Sequence, residues 1–254
     1  MKTALDAQVG HYRELGYLVI ERLVSEQAIH QLRQRTRDIA EGLVPSYPIA
    51  DIELEPGAEK ASFHTVRKLN RCAENDSIFL EHVRNETLLD IVESLIGPDI
   101  KLYASQCFMK PPGGVGKPYH QDSAYFTIEP LDLVTCWTAL DDVTIGNGCM
   151  WVIPGSHRRG IVDHSQKWLV GDRTDMQVPD DMIDFSSEVP IEMPAGSCSF
   201  HHSVLLHRST PNQSTRQRRG IAVHYMSARS RWTHPTRPKP DFPLLRGRQF
   251  EGCV

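Results

Sequence analysis

A chain of 254 residues with 40% hydrophobic and 24% charged residues has the composition of a globular protein able to bury a sizeable core, in one domain or two. Its net charge of -4 gives no basic excess, which speaks against nucleic acid as a partner, and no run approaches the roughly 18 apolar residues of a membrane span. The first ten residues lack the apolar core of a signal peptide, and six cysteines (Cys72, Cys107, Cys136, Cys149, Cys198, Cys253) lie far apart with no C-x-x-C, so reduced thiols and a cytoplasmic location are expected.

From Leu5 to Leu15 the apolar positions are loosely helical; Gly16 interrupts them, and Tyr17-Leu18-Val19-Ile20 reads as a short buried strand. Ser25 with Ala28, Ile29, Leu32 and Ile39 predicts a capped amphipathic helix through about Gly42. Pro45 to Ala61 is rich in Pro, Gly and acidic residues, an irregular stretch of a length that often serves as a lid. Ser62 to Leu69 is expected to re-enter as a strand, and Ile78 to Ile96 to be helical until Gly97-Pro98. Beyond Ile100, short β-prone runs recur: Lys101 to Lys110, Ala124 to Ile128, Leu133 to Leu140, Cys149 to Ile153, Ile191 to Met193, Ser197 to Leu206 and Gly220 to Met226. Such a series predicts a β-sandwich or barrel with flanking helices, not a wound α/β sheet. Asn147-Gly148 signals a hairpin turn. Asp163 to Glu188 carries seven acidic residues against Lys167 and Arg173 and is expected to lie over one mouth of the barrel. From Arg229 to Arg248 six basic residues face only Asp241, and this tail is read as irregular and wrapped on the domain.

Within Lys117 to Phe126 the triplet His120-Gln121-Asp122 carries the chemistry. On a strand, His120 and Asp122 share one face and Gln121 takes the other. With one more histidine, that imidazole and carboxylate make the two-His-one-carboxylate face that leaves positions open on iron(II); the plain alternative is a polar strand end. His201, His202 and His207 are the comparable histidines downstream. His207, after the apolar run Val204-Leu205-Leu206, is the third donor of choice, brought to the pair by barrel closure. His201 and His202 read as a structural pair, one of them inward, with either an alternative ligand. Eleven residues after His207, Arg218 could hold the far carboxylate of 2-oxoglutarate through two parallel hydrogen bonds; Arg219 points to the other face, and the alternative for both is a solvated strand end. His157 in Pro-Gly-Ser-His reads as structural, Gly113 to Lys117 lacks the outer residues of a phosphate loop, and Asn212-Gln213-Ser214 is a chance sequon. Neither H-E-x-x-H nor G-x-S-x-G is present.

The ordered set Lys110-Pro111-Pro112, His120-Gln121-Asp122, Cys136 to Leu140, Asn147-Gly148, Trp151 to His157, His207-Arg208-Ser209, Asn212 and Arg218-Arg219 resembles the phytanoyl-CoA dioxygenase family of Fe(II)/2-oxoglutarate oxygenases, over about Leu18 to Met226. The resemblance implies a double-stranded β-helix, a cupin-like jelly roll with helices on one sheet, in a single domain: helical flank about 1-98, core about 99-228, tail 229-254. It implies iron on His120, Asp122 and His207, with Arg218 and Ser209 on the far carboxylate of 2-oxoglutarate and Gln106 and Trp137 lining its pocket. Lys68 is the candidate for a further basic residue reaching the cosubstrate, with Arg67 adjacent. Arg208 replaces the small residue usual after the distal histidine, a change at the pocket rim. The implied activity consumes O2 and 2-oxoglutarate and hydroxylates a small molecule; Asp122 disfavours halogenation, whereas desaturation, epoxidation and ring formation stay open. A cupin-like metal-binding protein or isomerase that does not use 2-oxoglutarate is the alternative. Ser46 to Phe63, the acidic insert and the basic tail are expected to set the substrate, the insert favouring a cation and the tail an anion unless each is a solvated face.

Overall fold

The computed structural model describes residues 2–170 and 173–254. Ahead of the β-rich part come α1 (Lys2–Leu15), β1 (Tyr17–Ile20), α2 (Glu26–Ala40), β2 (Ile52–Leu54), β3 (Val66–Asn70), α3 (Cys72–Asn75), α4 (Ser77–Val83) and α5 (Glu86–Ile96). Then follow β4 (Ile100–Lys110), β5 (Lys117–His120), β6 (Ile128–Glu129), β7 (Leu133–Ala139), β8 (Met150–Val152), β9 (Gln166–Val170), β10 (Arg173–Gln177), β11 (Val189–Ile191), β12 (Cys198–His202), β13 (His207–Ser209), β14 (Arg218–Ser227), β15 (Arg231–Trp232) and β16 (Leu244–Arg246). A large antiparallel sheet has the order β1-β12-β7-β14-β4-β3-β2, with β16 also on β4, and a smaller one the order β11-β8-β13-β5. The core strands pass from sheet to sheet in the order β4, β5, β7, β8 and again β11, β12, β13, β14, with β8 and β11 paired in the small sheet at the midpoint, which is the jelly-roll connection.

Alternation along β14 gives the large sheet two chemistries. Ile221, Val223 and Tyr225 join Cys107, Met109, Cys136 and Phe200 in a core shared with Phe79, Val83, Leu88, Leu89 and Val92 of α4 and α5. The Tyr225 hydroxyl donates to the Val83 carbonyl at 3.0 Å. On the other face Arg218, Ala222 and His224 line a cavity. Gly220 shares that face because the Trp137 ring lies across it: a Cβ there would stand 1.9 Å from the ring.

Several expectations change. Ile78 to Ile96 is two helices, because Asn85 caps a new one by accepting from the amides of Thr87 and Leu88. The irregular stretch from Pro45 contains β2, an edge strand on β3. Asn147-Gly148 closes no hairpin: it ends a 3-10 turn, capped by Thr144, that carries the chain from β7 in one sheet to β8 in the other. Ala124 to Ile128 is strand only at Ile128, the rest being the end of a 3-10 segment and irregular chain, and Ser197 to Leu206 pairs only through His202. The acidic insert contains the β9-β10 hairpin, with Gly171 and Asp172 outside the described residues. The basic tail wraps the domain in short strands rather than as irregular chain alone, with β15 on β6 and β16 on β4. Two of its arginines form ion pairs: Arg246 with Glu86, Asp90 and Glu93, and Arg229 with Asp99. Among the described residues no helix is long and apolar enough to cross a membrane.

Gly220→Ala is expected to lose about 1–3 kcal/mol of stability through overpacking against Trp137. Urea unfolding followed by tryptophan fluorescence measures it.

Candidate active site

His120 ends β5 and His207 begins β13, and the two residues are directly paired in the small sheet, their ring centroids 4.1 Å apart. Each imidazole uses Nδ1 on a carbonyl oxygen two residues back, Pro118 for His120 and Leu205 for His207, both at 2.9 Å. A carbonyl only accepts, so each Nδ1 carries the hydrogen and each Nε2 keeps its lone pair. Asp122 does not extend β5 as the strand reading required. The chain turns at Gln121 into a 3-10 segment, and the carboxylate still arrives with Oδ1 at 3.9 Å from His120 Nε2 and 3.6 Å from His207 Nε2. The three donor atoms lie within 4.8 Å of one another, and all three residues are buried. Two imidazole nitrogens and one carboxylate oxygen so placed suit a divalent first-row metal.

The other carboxylate oxygen faces the large sheet. Thr135 donates to Asp122 Oδ2 at 2.7 Å and so accepts from His224 Nδ1 at 2.8 Å; His201 Nε2 stands 3.3 Å from the same oxygen. His201, Thr135 and His224 occupy one rung across β12, β7 and β14. Burial pushes His207 and His224 down to about 4, and holds His120 well below its ordinary value, with Lys117 and His207 adding to it. Burial alone would raise Asp122, but His207, His201 and His224 overcome it and hold the carboxyl well below the usual range. Neutral imidazoles beside an ionised carboxylate are the state that binds metal.

Gln121 points away from the donors, as strand alternation predicts, and is fully buried. Its Nε2 donates to the carbonyls of Gly160 and Val204, and its Oε1 accepts from Val162 N–H, fastening the turn that delivers His207. Ser156 supports the same turn through Leu206 N–H. His157 contacts the Arg13 carbonyl, and His202 turns outward toward Tyr12 and His157. Asn212 of the sequon is buried, donating to the carbonyls of Lys110 and Arg216.

The donors line a cavity of about 280 Å³. Along β14 its inward row runs Arg218, Gly220, Ala222, His224, with Trp137 and Gln106 flanking Ala222 on the neighbouring strands. Arg218 is buried, donates to the Gly148 carbonyl at 2.6 Å and lies 5.3 Å from the Trp137 ring; its Nε has no hydrogen-bond partner. Burial lowers its pKa to about 10. Arg219 faces away and is held bidentately by Asp141. Ser209 lines the same cavity and accepts from Lys110 Nζ at 2.9 Å. Lys68 and Arg67 both reach the cavity lining, each beside Glu53. At the rim Arg208 binds Glu188 and faces Tyr119 and Trp151. The hairpin docks beside the donors through the Tyr125 hydroxyl, which donates to the Met176 carbonyl and accepts from its N–H. Sequence reasoning missed Thr135, His224 and Lys110; Lys110 was legible only as the start of Lys-Pro-Pro.

A jelly roll with this donor set beside a buried guanidinium is the architecture of the iron(II)- and 2-oxoglutarate-dependent dioxygenases, and comparison with known proteins places the chain in that class. It belongs to the phytanoyl-CoA dioxygenase family, whose model matches residues 12–220. A probable phytanoyl-CoA dioxygenase of Caenorhabditis elegans is 31% identical over 228 residues, covering 84% of this chain and 72% of that protein. The L-proline trans-4-hydroxylase of Streptomyces griseoviridis is 29% identical, covering 92% and 90%. The fold is shared with the epimerase SnoN, solved with Fe3+, alpha ketoglutarate and nogalamycin RO, at a TM-score of 0.75 and 20% identity, covering 97% of this chain and all of that one.

Thr135→Val is expected to weaken iron(II) binding by about 10- to 100-fold, because the carboxylate loses a hydrogen bond that orients it. Anaerobic metal titration measures this.

Proposed function

We propose that this dioxygenase hydroxylates an unactivated C–H bond of a small molecule, with iron(II) on His120, Asp122 and His207 and 2-oxoglutarate between the metal and Arg218. When bound, the two groups activate O2, with 2-oxoglutarate leaving as succinate and CO2. The observation that carries the reading is the buried, unpartnered Nε of Arg218 in the cavity that the three donors line. A buried guanidinium with a free donor fits a carboxylate, and the two-nitrogen, one-oxygen donor set fits iron(II).

Each residue then has a task. His120 and His207 present Nε2 lone pairs fixed by their Nδ1 hydrogen bonds, and Asp122 adds the negative charge. Ser209 offers its hydroxyl to the far carboxylate, Trp137 packs on the carbon chain, and Gln106 and Lys68 border it. Phe108, Tyr125 and Phe126 wall the cavity and exclude water from the reacting carbon. The small-molecule substrate enters between the β9-β10 hairpin and the segment bearing Glu53 and Glu55. The helical flank, jelly roll and tail act as one domain. Six unpaired cysteines, five of them buried, support a reducing compartment, read here as the cytoplasm.

Succinate formation dependent on iron(II) and 2-oxoglutarate is expected to vanish in folded Asp122→Ala and His207→Ala variants; turnover persisting in both overturns the ligand assignment. Arg218→Ala is expected to raise the 2-oxoglutarate requirement by about 30-fold or more, corresponding to about 2–5 kcal/mol for one lost partner of a buried charge pair, with iron affinity little changed. If 2-oxoglutarate produces no visible charge-transfer band with the anaerobic iron(II) protein, the cupin-like alternative stands instead.

A further inference from the structure

We propose that Lys110 is a second cation of the 2-oxoglutarate site, acting with Arg218 on the far carboxylate and turning the Ser209 hydroxyl toward it. The proposal rests on the cosubstrate reading above.

Lys110 and Arg218 are directly paired across β4 and β14. Both are buried and both line the cavity. The lysine stem is cradled by two glycines: a Cβ on Gly114 would stand 3.0 Å from Lys110 Cγ, and one on Gly148 3.0 Å from its Cδ. Gly148 also presents the carbonyl that accepts from Arg218, so one backbone residue braces both cations. The space is shaped around this side chain.

Of the three ammonium hydrogens, one goes to Ser209 Oγ at 2.9 Å and one to the Thr210 carbonyl at 2.6 Å. Because Ser209 Oγ accepts from the ammonium, its own hydrogen is directed elsewhere, and an anion in the cavity is the partner that uses it. Two like charges side by side in a buried site disfavour one another. Burial, then Arg218 and Arg67, hold Lys110 well below its ordinary pKa. A carboxylate between the cations reverses that repulsion and accepts from the guanidinium, the hydroxyl and the third ammonium hydrogen together. A lysine serving only to brace the Ser209-Thr210 backbone would confer no preference between a diacid and a monoacid.

The test compares 2-oxoglutarate with 2-oxopentanoate, in which a methyl group replaces the far carboxylate. Binding of each to the anaerobic iron(II) protein is read by calorimetry and by the charge-transfer band. Lys110→Met is expected to weaken 2-oxoglutarate binding by about tenfold or more, one hydrogen-bonded charge pair's worth, while 2-oxopentanoate binding stays unchanged. Adding Ser209→Ala to Lys110→Met is expected to weaken it less than Ser209→Ala alone does, because the two residues act as a unit. Equal weakening of both keto acids, or of neither, overturns the proposal. Wild-type protein that binds iron(II) but neither keto acid overturns the cosubstrate reading itself. Should Lys110→Met fail to fold, Lys110→Gln keeps a donor for Ser209 or Thr210, and the same two ligands decide.

Discussion

Burying the Asp122 carboxylate is tolerable only because polar groups surround it. His120 and His207 face one oxygen from the small sheet, and Thr135 and His201 face the other from the large sheet, with His224 behind the threonine. An ionised carboxylate lacking such partners would cost several kcal/mol in the interior or take up a proton. Partners from both sheets require the sandwich to be closed, with β5, β13, β7, β12 and β14 in register. The helices pack on the outside of the same large sheet, with Phe79, Val83, Leu88, Leu89 and Val92 against the outward residues of the strands that carry Thr135, His201 and His224.

The histidine pair depends on a different device. His120 and His207 are 87 positions apart in sequence and adjacent in space, and the short strands that hold them offer few ladder hydrogen bonds. The missing rigidity comes from side chains behind the site. Gln121 joins the loop after β8 to the turn before β13, and Ser156 holds that turn from the other side. The inserted hairpin and the rim are tied to the same strands through Tyr125, and through the Glu188 contacts with Arg208 and Tyr119.

How much of this was legible in the sequence follows from which forces act locally. The strands of the core announced themselves by β-branched runs between turns, and the convergence of His120, Asp122 and His207 was foreshadowed by residue type, order and the apolar run before the distal histidine. The exit from β5 after His120 was not legible, because the Gln121 N–H leaves the ladder for His164 Nε2, a partner 43 positions away. Thr135 and His224 sit in ordinary strand sequence, where alternation gives their face but not what lies above it. Lys110 precedes two prolines and reads as a loop entry until β14 places Arg218 beside it. β2 was hidden by the prolines and glycine around Ile52-Glu53-Leu54, and the basic tail read as a solvated or ligand-facing segment because its acidic partners on α5 lie over 150 residues earlier.

The rim of the cavity is built from elements that hold no donor: an edge strand with its following loop, carrying Glu53 and Glu55, and beside it a hairpin excursion between β8 and β11 whose Trp168 ring lies under the cavity-lining Arg67. Neither is sandwiched between other strands, so both tolerate length changes that an interior strand would not. Reaction chemistry and molecular choice are thus built on separable parts of the chain. Exchange of the rim segments can present a different carbon to an unaltered reacting centre, a division of labour that lets one scaffold diversify while its core stays fixed.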